Sequence, residues 1–126
     1  MSRTNYYDGE ITIEPPLIWA QIQKALRNPQ IADGWEVSLD INEVTTDTET
    51  GTNTIKTCSR IIPARKDSYK GYNIPSVIQW VVDRFPEHTF SGYIEREGET
   101  VEYAARFMVK DRKVVEIKPT IVWPEP

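Results

Sequence analysis

YYDGEITIEPPLIW, residues 6–19, decides how the chain begins to fold. Ile11 and Ile13 alternate with Glu10, Thr12 and Glu14, the period of a strand with one buried face. Pro15 and Pro16 are expected to end that strand, and Pro16 suits a first helical turn, where a missing N–H costs nothing. The following LIWAQIQKALRN, residues 17–28, puts Ile18, Ile22, Ala25 and Leu26 on one stripe. A helix ending near Asn28, before Pro29, is therefore predicted. On this reading Trp19 packs at a rigid strand-to-helix corner.

Working outward, WEVSLDI (35–41) alternates Trp35, Val37, Leu39 and Ile41 against Glu36, Ser38 and Asp40, which predicts a second strand. Val44 breaks the parity, so a bulge or twist is expected near Asn42 and Glu43. TTDTETGTNT (45–54) offers no core residue and predicts a polar hairpin tip that projects before IKTCSRII (55–62) returns. NIPSVIQWVVDRF (73–85) carries the strongest helical period, with Ile74, Val77, Ile78, Val81, Val82 and Phe85 on one face. Asn73 is its expected cap, and Pro86 its stop. Three strands follow: TFSGYIER, then Val101 to Val109 after a turn at Gly98, then VVEIKPTIVW, which Pro119 marks as an edge.

The order β-α-β-β-α-β-β-β predicts one α+β domain over residues 1–126, of the ferredoxin-like, split β-α-β type. Two helices would cover one face of a mainly antiparallel sheet. The other face would display Glu10, Thr12, Glu14, Glu36, Ser38, Asp40, Tyr93, Glu95, Glu102, Ala104, Arg106 and Met108, a polar and net acidic surface.

Composition limits the function. With 39% hydrophobic and 27% charged residues the 126-residue chain is that of a folded domain with its own core. A single cysteine, Cys58, allows no internal disulfide and is expected as a small buried thiol. MSRTNYYDGE has no apolar signal-peptide core, and no apolar run reaches the roughly 20 residues of a bilayer span. A cytoplasmic protein without membrane contact is expected. The net charge of -4 and pI near 5.0 disfavour general nucleic-acid binding.

Catalytic and metal motifs do not assemble. His88, the sole histidine, is expected as an exposed residue past the second helix. One histidine and one cysteine make no zinc pattern, DTETG lacks EF-hand spacing, and the six glycines form no phosphate loop. No catalytic residue, metal site or cofactor is assigned.

Charge, however, segregates. Residues 31–55 hold six acids (Asp33, Glu36, Asp40, Glu43, Asp47, Glu49) and no base. RIIPARKDSYKGYN, residues 60–73, gathers Arg60, Arg65, Lys66 and Lys70 with Tyr69 and Tyr72, against Asp67 alone. The first cluster (Glu36, Asp40, Glu43, Asp47, Glu49) reads as an acidic hairpin, a contact for a protein or a mimic of nucleic acid. The second (Arg60, Arg65, Lys66, Tyr69, Lys70, Tyr72) reads as a basic-aromatic loop beside a helix N-terminus. Such a loop suits an acidic protein surface, or alternatively a nucleotide or single-stranded nucleic acid, because tyrosine offers low-entropy contact area and arginine forks onto carboxylate or phosphate. A solvated loop and a solvated hairpin are the plain alternatives. The function expected is a small non-enzymatic protein-binding module.

Residues 9–19 resemble the opening of a family of small uncharacterised actinobacterial and actinophage proteins that share G-E-I-x-I-x-P-P-L-x-W. The resemblance implies a stand-alone small cytosolic protein of phage or mobile-element type and carries no activity and no catalytic residues with it; the protein-binding module expected from the charge pattern would, if phage-encoded, modulate a host protein.

Overall fold

The computed structural model describes residues 4–98, 100, 103–120 and 122–124. Six strands, β1 (Tyr6–Ile18), β2 (Val37–Thr48), β3 (Gly51–Pro63), β4 (Thr89–Glu97), β5 (Ala105–Lys110) and β6 (Lys113–Ile117), form one sheet in the order β2-β3-β1-β4-β5-β6. Every neighbouring pair is antiparallel. The helices α1 (Trp19–Ala25), α2 (Pro29–Ala32) and α3 (Ile74–Arg84) are only 7, 4 and 11 residues long. With 51% strand against 19% helix among the described residues, the ferredoxin-like, two-helix expectation is corrected to a six-stranded antiparallel sheet with three short helices.

The correction begins at the prolines. β1 does not stop at Pro15 but runs through both prolines to Ile18. Thr12 pairs with Arg60 and Leu17 with Cys58, so residues 13–16 of β1 lie opposite the single Ser59 of β3. A wide bulge absorbs the two missing N–H donors, as proline in a sheet requires. Leu17 then re-enters the core, fully buried, while Ile18 turns outward. The helix begins late, at Trp19, where the Gln21 side chain accepts the Ile18 N–H at 3.0 Å. Asn28 does not end one long helix. Its side chain accepts the Gln30 N–H at 3.0 Å and starts α2 behind Pro29.

The apolar stripe of α3 lies where its period puts it, with Ile74, Val77, Ile78, Val81 and Val82 buried against Ile11, Ile13, Val37, Leu39, Ile61, Ile94 and Phe107 of the sheet. Gln79 ties α3 to β6: its Oε1 accepts the Val114 N–H at 2.8 Å and its Nε2 donates to the Arg112 carbonyl at 3.0 Å. The β5–β6 turn holds Asp111 at φ 48° and Arg112 at φ 64°, a conformation suited to glycine. Arginine is kept there by its guanidinium, which donates to the carbonyls of His88 (2.8 Å), Phe85 (3.2 Å) and Val82 and so caps the C-terminus of α3. Arg112→Gly, which the turn favours, should therefore lower stability by about 1–2 kcal/mol in urea unfolding, because charged hydrogen bonds to three carbonyls are lost. Asp111→Gly, which relieves the same dihedral and removes no such bonds, should be neutral or stabilising.

The second sheet face carries cross-strand rows, Glu10–Tyr93–Met108–Val115 and Asp8–Glu95–Arg106–Ile117. Arg106 donates to Glu95 at 2.7 Å and lies 4.5 Å from the Tyr93 ring centre. Arg60 bridges Glu10 (3.1 Å) and Asp40. The face is thus less acidic than expected, its carboxylates answered by two arginines and its centre partly apolar. Glu36 is absent from it, being buried on the helix side; Glu102 lies outside the described residues, as does Val101, and β5 is described from Ala105.

Candidate functional site

The β2–β3 hairpin carries both candidate surfaces, one at each end. Near its base β3 also pairs with β1, but that ladder ends at Ile18–Thr57. Further out β2 and β3 pair only with each other, from Glu43–Lys56 to Thr48–Gly51, and every residue from Ile41 to Ile55 is exposed. This is a two-stranded arm. Its register sets Val44 opposite Ile55, and both remain more than half exposed, at 54% and 60%. Ile18 and Trp19 lie at its root, with Lys56 Nζ 4.6 Å from the Trp19 ring centre, and these residues line a shallow groove with Thr54, Ile55 and Thr57. The expectation that Trp19 is packed is only half met; 40% of it faces solvent. Glu43, Asp47 and Glu49 project from the arm.

The remaining acids predicted for this hairpin do other work. Asp40 is bonded to Arg60, next to the offset where Leu39 pairs with Ile61 and Ile41 with Cys58. Glu36 is 8% exposed, and its Oε2 accepts the Asn73 N–H at 3.0 Å. The carboxylate thus occupies the N-terminus of α3, where the sequence suggested Asn73 as the cap; the Asn73 side chain makes no capping bond. Burial raises the Glu36 pKa above the ordinary carboxylate value, and the Asn73 N–H opposes the rise. A raised carboxylate pKa favours the fold below the unfolded value of about 4.3, and that contribution is lost as pH rises through the folded value. Glu36→Gln, which keeps the acceptor without the charge, should gain stability relative to the parent between about pH 4 and pH 7. Urea midpoints measured across that range should diverge as pH rises.

At the opposite end of the hairpin, Pro63 leads into the segment 64–73. Tyr69 is not a displayed side chain: it is 7% exposed and organises the segment. Its hydroxyl donates to the Glu36 carbonyl at 2.7 Å and accepts the Ala64 N–H at 3.1 Å. Its backbone bridges to Asn5 in both directions, and its ring centre lies 4.8 Å from that of Tyr7, whose hydroxyl donates to the Lys70 carbonyl. Burial pushes the Tyr69 phenol up to about 12. Arg60 also leaves the predicted set, since it lies on the open sheet face between two acids. Arg65, Lys66 and Lys70 are exposed, together with Tyr72 and with Trp35, at 58%, which the strand pattern placed in the core. Trp35, Arg65, Ser68, Lys70 and Gly71 line a groove at this corner.

His88, expected at the surface, is 6% exposed. Its Nδ1 lies 2.6 Å from the Pro15 carbonyl, which only accepts, so that nitrogen carries the proton and Nε2 accepts from Gln21 Nε2 at 2.9 Å. The ring holds the β1 bulge against α1 and the start of β4. Cys58 is buried as predicted, and burial raises its thiol pKa, which disfavours the reactive thiolate. No helix is long and apolar enough to cross a membrane among the described residues.

No curated protein and no solved structure matches the chain. Matched by a family model along residues 1–126, it belongs to DUF6205, a family of unknown function.

Proposed function

We propose that the protein is a small non-enzymatic protein-binding module that engages its partner through the projecting β2–β3 arm. The observation that carries this reading is the exposed Val44–Ile55 pair, with Ile18 and Trp19 at the root of the same ribbon. A monomeric surface usually scatters its large apolar side chains, and burying one is worth about 1.5–3 kcal/mol. Both edges of the ribbon also carry backbone groups that no described strand pairs, a ready template for strand addition. His88 is buried with both ring nitrogens hydrogen-bonded, and Cys58 is a buried thiol. The resemblance of residues 9–19 to small actinobacterial and actinophage proteins supports a module of phage or mobile-element type, which would act on a host protein in the cytoplasm.

The nucleic-acid reading of the basic corner draws on Arg65, Lys66 and Lys70 beside Trp35 and Tyr72, without the α3 N-terminus, where Glu36 sits. Salt-dependent binding of labelled single-stranded nucleic acid, abolished by Lys66→Glu with Lys70→Glu, would favour it. The spacing of the arm's acids does not match that of a nucleic-acid mimic. Glu43, Asp47 and Glu49 span seven residues, roughly 20 Å at strand rise, against one phosphate charge per roughly 1.7 Å of duplex.

Affinity capture from the lysate of the producing cell tests the arm. Val44→Ser with Ile55→Ser changes only exposed side chains and should shift stability by about 1 kcal/mol or less. A protein held by the parent and lost by this variant is the expected result. Equal capture by both, with the fold intact, would remove the arm from the interface.

A further inference from the structure

The two ends of the β2–β3 hairpin complement each other. On the arm, Glu43, Asp47 and Glu49 stand against Lys56, beside aliphatic Val44 and Ile55. Within residues 64–73, Arg65, Lys66 and Lys70 stand against Asp67; Arg65 and Lys70 line a shallow groove with exposed Trp35, and the largely buried Glu36 lines it too. Three acids to one base face three bases to one acid. The two surfaces cannot neutralise each other within one molecule, because the arm leads directly away from the corner. From Val37 to Asp47 the strand covers roughly 30 Å at about 3.3 Å per residue. That is several times the Debye length of about 8 Å at physiological salt, so each end presents its field to other molecules.

We propose that the partner of the arm is a second copy of this chain: the acidic, aliphatic arm of one copy seats in the basic, Trp35-lined groove of the next. This deepens the protein-binding reading and rests on it. The contact joins two different patches, so it is heterologous, and repetition makes a closed ring or an open chain. Acidic side chains of the arm would meet Arg65, Lys66 and Lys70 at the rim, while Val44 and Ile55 cover the indole. Apolar burial would supply the affinity and the charges the direction, since reversing the docking would oppose like charges. Tyr69 positions the groove without taking part in the contact, because its hydroxyl and ring are committed inside the molecule.

Sedimentation velocity of the purified full chain tests the proposal. The parent should associate with rising concentration, more tightly at low salt than near about 1 M, where the Debye length falls to roughly 3 Å and the charges no longer add to the apolar contact. Glu43→Lys with Asp47→Lys, and separately Lys66→Glu with Lys70→Glu, should each weaken association on the order of 100-fold, because like charges would then oppose across the contact. An equimolar mixture of the two variants should associate again, since each offers one matching end to the other. A parent that stays monomeric throughout, or variants that associate unchanged, would overturn the proposal.

A photo-crosslinking residue in place of Ile55, activated in the producing cell's lysate, separates this failure from that of the broader reading. A homotypic adduct within residues 64–72 supports self-assembly. An adduct to a different protein overturns self-assembly and retains the binding module. Absence of any protein adduct overturns both.

Discussion

Gly9→Ala is expected to destabilise the protein by about 3 kcal/mol or more, combining the 1–3 kcal/mol of a disfavoured dihedral with an overpacking cost of similar size. Gly9 lies within β1 at φ 94°, and a Cβ there would stand 2.4 Å from the Tyr93 carbonyl oxygen. That oxygen belongs to the backbone of β4, paired with β1 from Tyr6–Glu97 to Glu14–Thr89, and has nowhere to move. Gly92 mirrors the arrangement across the ladder, at φ 92° with its Cβ position 2.6 Å from the Glu10 carbonyl oxygen. The two glycines let β1 and β4, the central strands of the sheet, approach closely. Gly34→Ala is the control, since Gly34 has φ 66° and nothing within 4 Å of a Cβ, and should cost only the dihedral, about 1 kcal/mol. Urea unfolding followed by tryptophan fluorescence measures both. Equal losses at the two positions would show that the close approach to β4 does not matter.

Tyr69→Ala should cost about 3–5 kcal/mol, comparable to removal of a core aromatic, and Tyr69→Phe about 1–3 kcal/mol. The alanine variant empties the space against Tyr7 and also leaves the Glu36 carbonyl and the Ala64 N–H without the hydroxyl that joins them. The phenylalanine variant isolates the second effect. pH separates it further. The folded phenol titrates at about 12 against about 10 unfolded, so its contribution is complete below pH 10 and disappears as pH rises toward 12. The parent should therefore lose stability more steeply than Tyr69→Phe over that interval. Parallel alkaline unfolding curves would show that Tyr69 is not the group whose ionisation is linked to unfolding there.

Local periodicity was legible wherever one element met one environment. The α3 stripe, the alternation of Ile11 with Ile13 and of Val37 with Leu39, the buried Cys58 and the projecting arm all read directly from the chain, because each residue's partner class follows from the element's own period. Periodicity failed at the offsets. Cys58 and Ile61 are both buried though three residues apart, because β3 is offset by one residue against β2 between the Leu39–Ile61 and Ile41–Cys58 pairs. Trp35 and Ile41, in phase with Val37 and Leu39, are left exposed because Trp35 precedes β2 and burial within β2 is confined to its start, at Val37 and Leu39. The prolines misled for a related reason. A proline ends a strand only if its N–H is needed, and in the β1 bulge it is not.

The candidate surfaces divide the same way. The charge segregation between residues 31–55 and 60–73 was visible in the sequence, but which of those charges reach solvent was not. Glu36 and Tyr69 have the polarity of surface residues and are buried because partners 33 to 37 positions away in the chain satisfy them. Arg60 reads as part of a basic loop and lies on the open sheet face because two acids from other strands flank it. By itself the sequence determined the period of its elements, the projecting polar hairpin and the opposite charge of two segments. The tertiary structure alone decided the strand order, the bulge that carries β1 past its prolines and the set of side chains left at the two ends of the hairpin. Period is a property of neighbouring residues, whereas burial of a polar group depends on a distant partner that only the assembled sheet supplies.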